Sequence, residues 1–251
     1  MRPNLKFDRQ VEVSLVFPVY NEKRNLENAV RKTAEALKGI AGSYEIIIAE
    51  DGSTDGTDKI AAGLAEEYPF VRHIHRSKRL GRGRALNNAF KKSNGRILIY
   101  MDADLATGIE HLRALIESVR DGYDFATGSR MLRGSKVERS LSRQMASKSY
   151  NFMVRTILHS KISDHQCGFK AARRDPLLEI ISDVKATHWF WDTELLVRAS
   201  HKGYRVKELP VEWTHKGQTK VKLLRDTVEM GSQVLALWWR LKGTSDIGTK
   251  N

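Results

Sequence analysis

Three times before residue 105, a short apolar run ends abruptly in a polar cluster that carries acids. Val11 to Pro18 leads into Pro18-Val19-Tyr20-Asn21-Glu22, Tyr44 to Ala49 into Glu50-Asp51-Gly52-Ser53-Thr54-Asp55, and Arg96 to Met101 into Asp102-Ala103-Asp104. Helical patterns lie between them. Asn25 to Lys38 puts Leu26, Ala29, Val30, Thr33 and Leu37 on one face, Ser53-Thr54-Asp55 opens a helix reaching Glu67, and Gly83 to Lys92 reads as a third. Strands alternating with helices predict a mostly parallel α/β sheet covered on both faces. Such sheets bind ligands at the carboxyl ends of their strands, so the three clusters converge on one edge.

The alternation continues with a short strand at Val71–His75, a helix over Gly108–Arg120 and a strand at Asp124–Gly128. Beyond that the pattern changes. Ser147 to Lys161 spaces Tyr150, Met153, Val154, Ile157 and Leu158 as one apolar stripe, with Lys148, Asn151 and Arg155 turned away. Trp191 to Lys202 reads as a helix and Arg205 to Trp213 as a strand. A helix over Leu223–Leu241 has a broad apolar face that includes Val234, Leu235, Leu237 and Trp238.

Composition limits the rest. The chain has 251 residues and a single cysteine, Cys167, so no internal disulfide forms; it reads as a packing residue. No stretch approaches the ~20 apolar residues that span a bilayer, and the short charged start is unlike a secretory signal. The expectation is a cytoplasmic chain without a transmembrane segment. The net charge of +13 calls for an anionic partner. Eight Lys/Arg and no acid lie between Arg72 and Lys92, and seven Lys/Arg with one Glu lie between Met131 and Lys161. Nucleic-acid binding would interleave aromatics with such clusters, but the first has only Phe90, at its far end. Nucleic acid is therefore not expected.

Asp102 and Asp104 repel each other at a strand end and serve no purpose there as punctuation. They suit a hard divalent cation, which takes one or two carboxylates together with phosphate oxygens. The order Pro-Val-Tyr-Asn-Glu, Glu-Asp-Gly-Ser, Gly81-Arg-Gly-Arg-Ala85, Asp-Ala-Asp resembles the inverting family 2 glycosyltransferases with a GT-A fold. Five further segments resemble the polyprenyl-phosphate sugar transferases: Asp102-Ala-Asp-Leu-Ala-Thr107, Gly128-Ser-Arg130, Asp164-His-Gln-Cys-Gly-Phe-Lys170, Asp192-Thr-Glu-Leu-Leu196 and Glu208-Leu-Pro-Val-Glu-Trp213. Within that group, the first and third are more similar to dolichyl-phosphate glucosyltransferases than to the mannosyl enzymes.

The resemblance implies a catalytic domain over residues 1–221, including an amphipathic helix near 140–161, and a C-terminal amphipathic helix and tail over 222–251. It implies transfer of a hexose, glucose favoured, from a UDP-sugar to a polyprenyl or dolichyl phosphate. Asp51 would contact the nucleotide base, and Pro18, Tyr20 and Glu22 would line its pocket. Glu50 stands where Asp is commoner. Asp102, Ala103 and Asp104 would face the donor diphosphate, with Mg²⁺ or Mn²⁺ on the two acids. Gly81, Arg82 and Arg84 would approach the donor phosphates. Arg130 would be a phosphate fork for the acceptor, and Lys220 with His215 would add cations, although Thr214 stands where mannosyl relatives carry an arginine.

Acceptor chemistry separates the alternatives. A hydroxyl acceptor needs a general base. A lipid phosphate, with a second pKa near ~6, is mostly dianionic at neutral pH and needs cations to position it. Asp192 and Glu194 sit at i and i+2 of a helix, so one of them at most faces the site. Asp192 is favoured there as a group contacting the metal region or an arginine, and a helix-start carboxylate remains the plain alternative. GDP-mannose as donor, or a saccharide or lipid hydroxyl as acceptor, also fits this pattern. The two amphipathic helices fit a peripheral contact with an anionic membrane on its cytoplasmic face, a homodimer, or ordinary packing.

Overall fold

The computed structural model describes residues 11–214 and 223–245. His215, Lys216 and Lys220 therefore lie outside the described residues. Four strands build the amino-terminal half: β1 (Val13–Val19), β2 (Tyr44–Glu50), β3 (Val71–Ile74) and β4 (Ile97–Met101). All are parallel, with β1 central between β2 and β4. Both faces of β1, β2 and β4 are covered, which is why their sequences are nearly continuous apolar runs rather than alternating ones. Helices α1 (Leu26–Lys38), α2 (Thr57–Glu67), α3 (Arg82–Lys92) and α4 (Leu112–Arg120) supply the covering.

The carboxyl half adds β5 (Phe125–Ser129), β6 (Lys136–Glu138), α5 (Leu141–Ile157), β7 (Phe169–Arg173), α6 (Arg174–Asp183), α7 (Trp191–His201), β8 (Val206–Pro210), β9 (Glu212–Thr214) and α8 (Leu223–Ser245). The seven-stranded sheet runs β3-β2-β1-β4-β7-β5-β8. Only β7 is antiparallel to its neighbours, so the sheet is mostly parallel as expected. β6 and β9 form a separate two-stranded parallel pair.

Several elements differ from the sequence expectation. β7 was not foreseen: Phe169–Arg173 is short and carries Lys170 at its second position, yet it inserts between β4 and β5. The expected strand Arg205–Trp213 is two strands in different sheets, broken after Pro210, which has no N–H to continue a ladder. α2 begins at Thr57, not at Ser53, because the intervening polar groups bond elsewhere. Ser53 Oγ accepts the Asn21 N–H and Thr57 Oγ accepts the Glu22 N–H, while Asp55 accepts the Thr57 N–H. α5 starts at Leu141, six residues before the apolar stripe.

That stripe does pack. Tyr150, Val154 and Leu158 join Phe190 and Val197 and the α8 residues Met230, Val234 and Leu237 in one buried cluster. Asn151 is a correction: it is buried rather than turned outward. Its Oδ1 accepts both the backbone N–H of His165, at 2.9 Å, and the His165 Nδ1–H, at 2.8 Å. That fixes the tautomer, and the Ser160 hydroxyl donates to Nε2 at 2.9 Å. Outside this packing, α5 leaves Leu141, Met145 and Phe152 exposed and α8 leaves Leu235 and Trp239 exposed. No described helix is long and apolar enough to cross a membrane.

The buried His165 sets an expectation for acid stability. Burial pushes its imidazole down to about 3, against about 6.5 in an unfolded chain. Between those values the unfolded chain holds a proton that the folded one does not. Stability therefore falls as pH drops through about 6.5, by up to ~1.4 kcal/mol per pH unit. Melting near about pH 5.5 should come roughly 4 °C below melting near about pH 7.5 from this group alone. His165→Gln should flatten that part of the slope; an unchanged slope would remove His165 as its origin.

Candidate active site

The carboxyl ends of β1, β2 and β4 do open onto one edge. Two loops there are tied together by polar contacts. Asn21, at a left-handed φ of 55°, accepts the Thr54 N–H through Oδ1 at 2.8 Å. Tyr20 lies under the Arg79 guanidinium, 3.7 Å from its ring centroid. Glu22 accepts a hydrogen bond from Asn25 Nδ2 at 2.8 Å, and its charge reaches Asp104. Pro18 sits within β1, half-buried beside them.

Asp51 is buried, and its carboxylate accepts the N–H groups of Leu80 and Gly81, both at 2.8 Å. It thereby shapes the loop that starts α3. Gly81 has φ 101°, and a Cβ there would meet the Thr187 carbonyl at 2.4 Å. This turn aims the first residue of α3, Arg82, at the acids: its Nη1 lies 2.5 Å from Asp102 Oδ1. Arg84 is roughly 200° further round the helix and is exposed. The structure therefore brings one of the two expected arginines to the carboxylates.

Asp104 accepts the Ala106 N–H at 2.9 Å. Burial, with the Asp102 charge beside it, raises its carboxyl to about 6. Ala103, between the two acids, is buried and packs into the core. Gly168 faces them from the loop before β7. A Cβ there would lie 2.1 Å from Asp102 Oδ2, so only glycine permits this approach. Arg82 Nε and Nη2 are buried with no hydrogen-bond partner among the described residues. Two crowded carboxylates and an arginine with orphaned donors fit a divalent cation bridging to phosphate oxygens, because each supplies what the other lacks. The residues present therefore fit Mg²⁺ or Mn²⁺ on Asp102 and Asp104.

The far wall is built from buried ions. Lys170 reaches Asp192 Oδ1 at 2.8 Å and Tyr100 Oη at 3.2 Å, and also donates to the Cys167 carbonyl. Burial raises Asp192 and lowers Lys170, each to about 7. Arg82 acts on Asp192 in the opposite sense, which places Asp192 on the site side of α7. Glu194 is spent on structure. It accepts the N–H groups of Lys185 and Ala186 and the guanidinium N–H groups of Arg198 and Arg240, tying α8 to α7.

Arg130 is held by Asp164. Its Nε and Nη2 donate to the two carboxylate oxygens at 2.7 and 2.9 Å, and its backbone N–H donates as well. The guanidinium fork expected to take an acceptor phosphate is thus already engaged. This pairing holds Asp164 far below the usual carboxylate range. Arg130 and Arg139 both lie 5.8 Å from the Trp213 ring centroid. Burial and the nearby Arg130 push Arg139 down to about 10, and its Nε has no partner among the described residues. Sequence reasoning missed Arg139, Asp164 and Lys170 as parts of this wall. Arg139 had a signal, since it falls in the second basic cluster. Cys167 is buried, with its thiol raised to about 11, in keeping with packing.

Comparisons with known proteins bear on the family and the fold. Residues 14–181 match the model of glycosyl transferase family 2. The glycosyltransferase AglD of Haloferax volcanii is 50% identical over 243 residues, covering 96% of this chain but 39% of that protein. The chain thus spans about two fifths of that relative's length. A dolichol-phosphate mannosyltransferase of Pyrococcus furiosus is 32% identical, covering 87% of this chain and 61% of that one. A dolichyl-phosphate beta-glucosyltransferase of Trichomonas vaginalis is 28% identical, covering 97% and 78%. Among solved structures, glucosyl-3-phosphoglycerate synthase from Mycobacterium tuberculosis, in complex with Mn²⁺, UDP and glucosyl-3-phosphoglycerate, superposes with a TM-score of 0.68. It is 19% identical and is covered over 78% of its length by 90% of this chain. The shared architecture is the GT-A fold, and the chain belongs to glycosyl transferase family 2.

Proposed function

We propose that this chain transfers a hexose from a nucleotide sugar to a polyprenyl phosphate, with inversion at the anomeric carbon. The observation that carries the reading is the Asp102–Arg82–Asp104 arrangement, with unpartnered arginine donors where a diphosphate would lie. A bound Mg²⁺ or Mn²⁺ would neutralise charge on the leaving diphosphate. Asp102 and Asp104 would hold the ion, and Arg82 would bind a phosphate oxygen. An oxygen of the acceptor phosphate forms the new bond to C1 as the bond from C1 to the nucleoside diphosphate breaks. No proton need move, so no general base is required.

The names of the relatives support a dolichyl-type acceptor and leave glucose and mannose as the two donors to separate. UDP-glucose is the favoured donor. The exposed apolar residues of α5 and α8, with Arg143, Lys148 and Arg155 interleaved on α5, support a peripheral contact with an anionic bilayer where such an acceptor resides.

One observation favours a second reading. Asp192 is raised to about 7 on the site side of α7, which suits a general base for a hydroxyl acceptor. Its contact with Lys170 makes it a positioning group in the first reading.

The test gives purified protein Mg²⁺, a polyprenyl phosphate, and radiolabelled UDP-glucose or GDP-mannose in parallel. Metal-dependent label in organic-extractable lipid from UDP-glucose is the expected result. Label from GDP-mannose alone would overturn the donor. No lipid label from either would overturn the acceptor.

A further inference from the structure

Two strands away from the acid pair, a second group of metal-ligand type lies at the sheet edge. Glu50 ends β2. Ala49 of β2 pairs with Ile74 of β3, so the next pair in register is Glu50 with His75. His73, two residues earlier, shares the His75 face, since side chains alternate along a strand. One ligand atom from each of Glu50, His73 and His75 lies within 4.8 Å of the others. Glu50 Oε2 is 2.5 Å from His75 Nδ1, and the same carboxylate accepts the Ser53 N–H. His73 Nε2 is buried with no hydrogen-bond partner among the described residues.

We propose that Glu50, His73 and His75 form a binding site for a borderline divalent cation, Zn²⁺, distinct from the Asp102–Asp104 pair. Ligand chemistry separates the two. Two imidazoles and one carboxylate are a zinc set that leaves a position open, whereas carboxylate-only sites suit Mg²⁺ and Mn²⁺. Position separates them too: β1 lies between β2 and β4, so the strands that carry the two sites are about 10 Å apart. A bound ion would give the buried His73 Nε2 the partner it lacks among the described residues and would sit beside the close Glu50–His75 pair. Coordination needs neutral imidazole nitrogens and an ionised carboxylate, so any proton held on these ligand atoms passes to solvent as the ion binds.

The site also has a structural consequence. Glu50 anchors the Ser53 end of one loop, and His75 begins the segment that leads through Asp51-bound Leu80 and Gly81 to Arg82. An ion there fastens the loop that aims Arg82 to the end of β2.

The test uses the untagged 251-residue chain stripped with chelator. It measures Zn²⁺ by calorimetry and Co²⁺ by its visible absorption. Saturable micromolar binding of one ion is expected. It should weaken at least about 100-fold in His75→Ala, whose side chain is half-exposed and whose loss leaves the core intact. Glu50→Gln should weaken it similarly, and Asp104→Asn should leave it unchanged. Zn²⁺ should raise the melting temperature of the parent but not of His75→Ala. Absent binding, or binding that survives His75→Ala and Glu50→Gln, would overturn the site. So would binding lost in Asp104→Asn, which would put the ion on the acid pair.

Discussion

Asp104→Asn is expected to lower sugar transfer roughly 10³-fold, about 4 kcal/mol of lost stabilisation of the departing diphosphate, while leaving the fold intact. The carboxylate accepts a backbone hydrogen bond from Ala106, and it stands against the like charge of Asp102. Burial and that neighbour already raise it to about 6, so the folded chain does not gain from its charge. The variant should therefore melt at or slightly above the parent temperature when no metal is added. Loss of activity with retained or improved stability is the mark of a group kept for chemistry. A variant that lost both in parallel would instead mark Asp104 as structural.

Asp164→Ala is expected to do the reverse and damage the fold. The residue is fully buried and accepts three hydrogen bonds from Arg130 and one from the Gln166 N–H. Its loss strands a buried guanidinium, at a cost of about 3–5 kcal/mol, or roughly 10 °C in melting temperature for a chain of this size. Replacing both partners together, Arg130→Leu with Asp164→Leu, should recover more than half of that loss, because no uncompensated charge remains. The double variant then isolates the role of Arg130. Normal transfer by a folded double variant would remove Arg130 from acceptor binding, while inactivity would keep it there. A single Asp164→Ala variant of parental stability would contradict the buried pair altogether.

What was legible in the sequence follows a physical pattern. The apolar runs of β1, β2 and β4 are buried on both faces, so every residue in them reports the fold. The acids that follow them are close in sequence to one another and to their strands. Asp102 and Asp104 could therefore be read directly, and the sheet edge they share was foreseeable from the alternation of strands and helices. What was hidden depends on partners far along the chain. Lys170 is a poor strand residue until Asp192 and Tyr100 arrive to satisfy it, and they lie 22 and 70 residues away. Asn151 reads as the polar face of a helix until the 159–168 loop folds back to meet it through His165. Arg82 and Arg84 look equivalent as letters, and only the helix phase set by Gly81 decides between them. The Glu50–His73–His75 group was missed for a related reason. Its two histidines show the alternation of one strand face, but their carboxylate comes from the neighbouring strand.

The central claim is that a lipid phosphate, positioned by cations, attacks without a general base. It is tested most directly by giving the protein one labelled donor and, in separate reactions, a polyprenyl phosphate and the corresponding polyprenol. The account predicts label on the phosphate alone. It also predicts that Asp192→Asn retains measurable transfer, since that residue positions Lys170 and takes no proton. Label on the free alcohol at a comparable rate, abolished by Asp192→Asn, would contradict the account and make Asp192 the base of a hydroxyl-directed transferase.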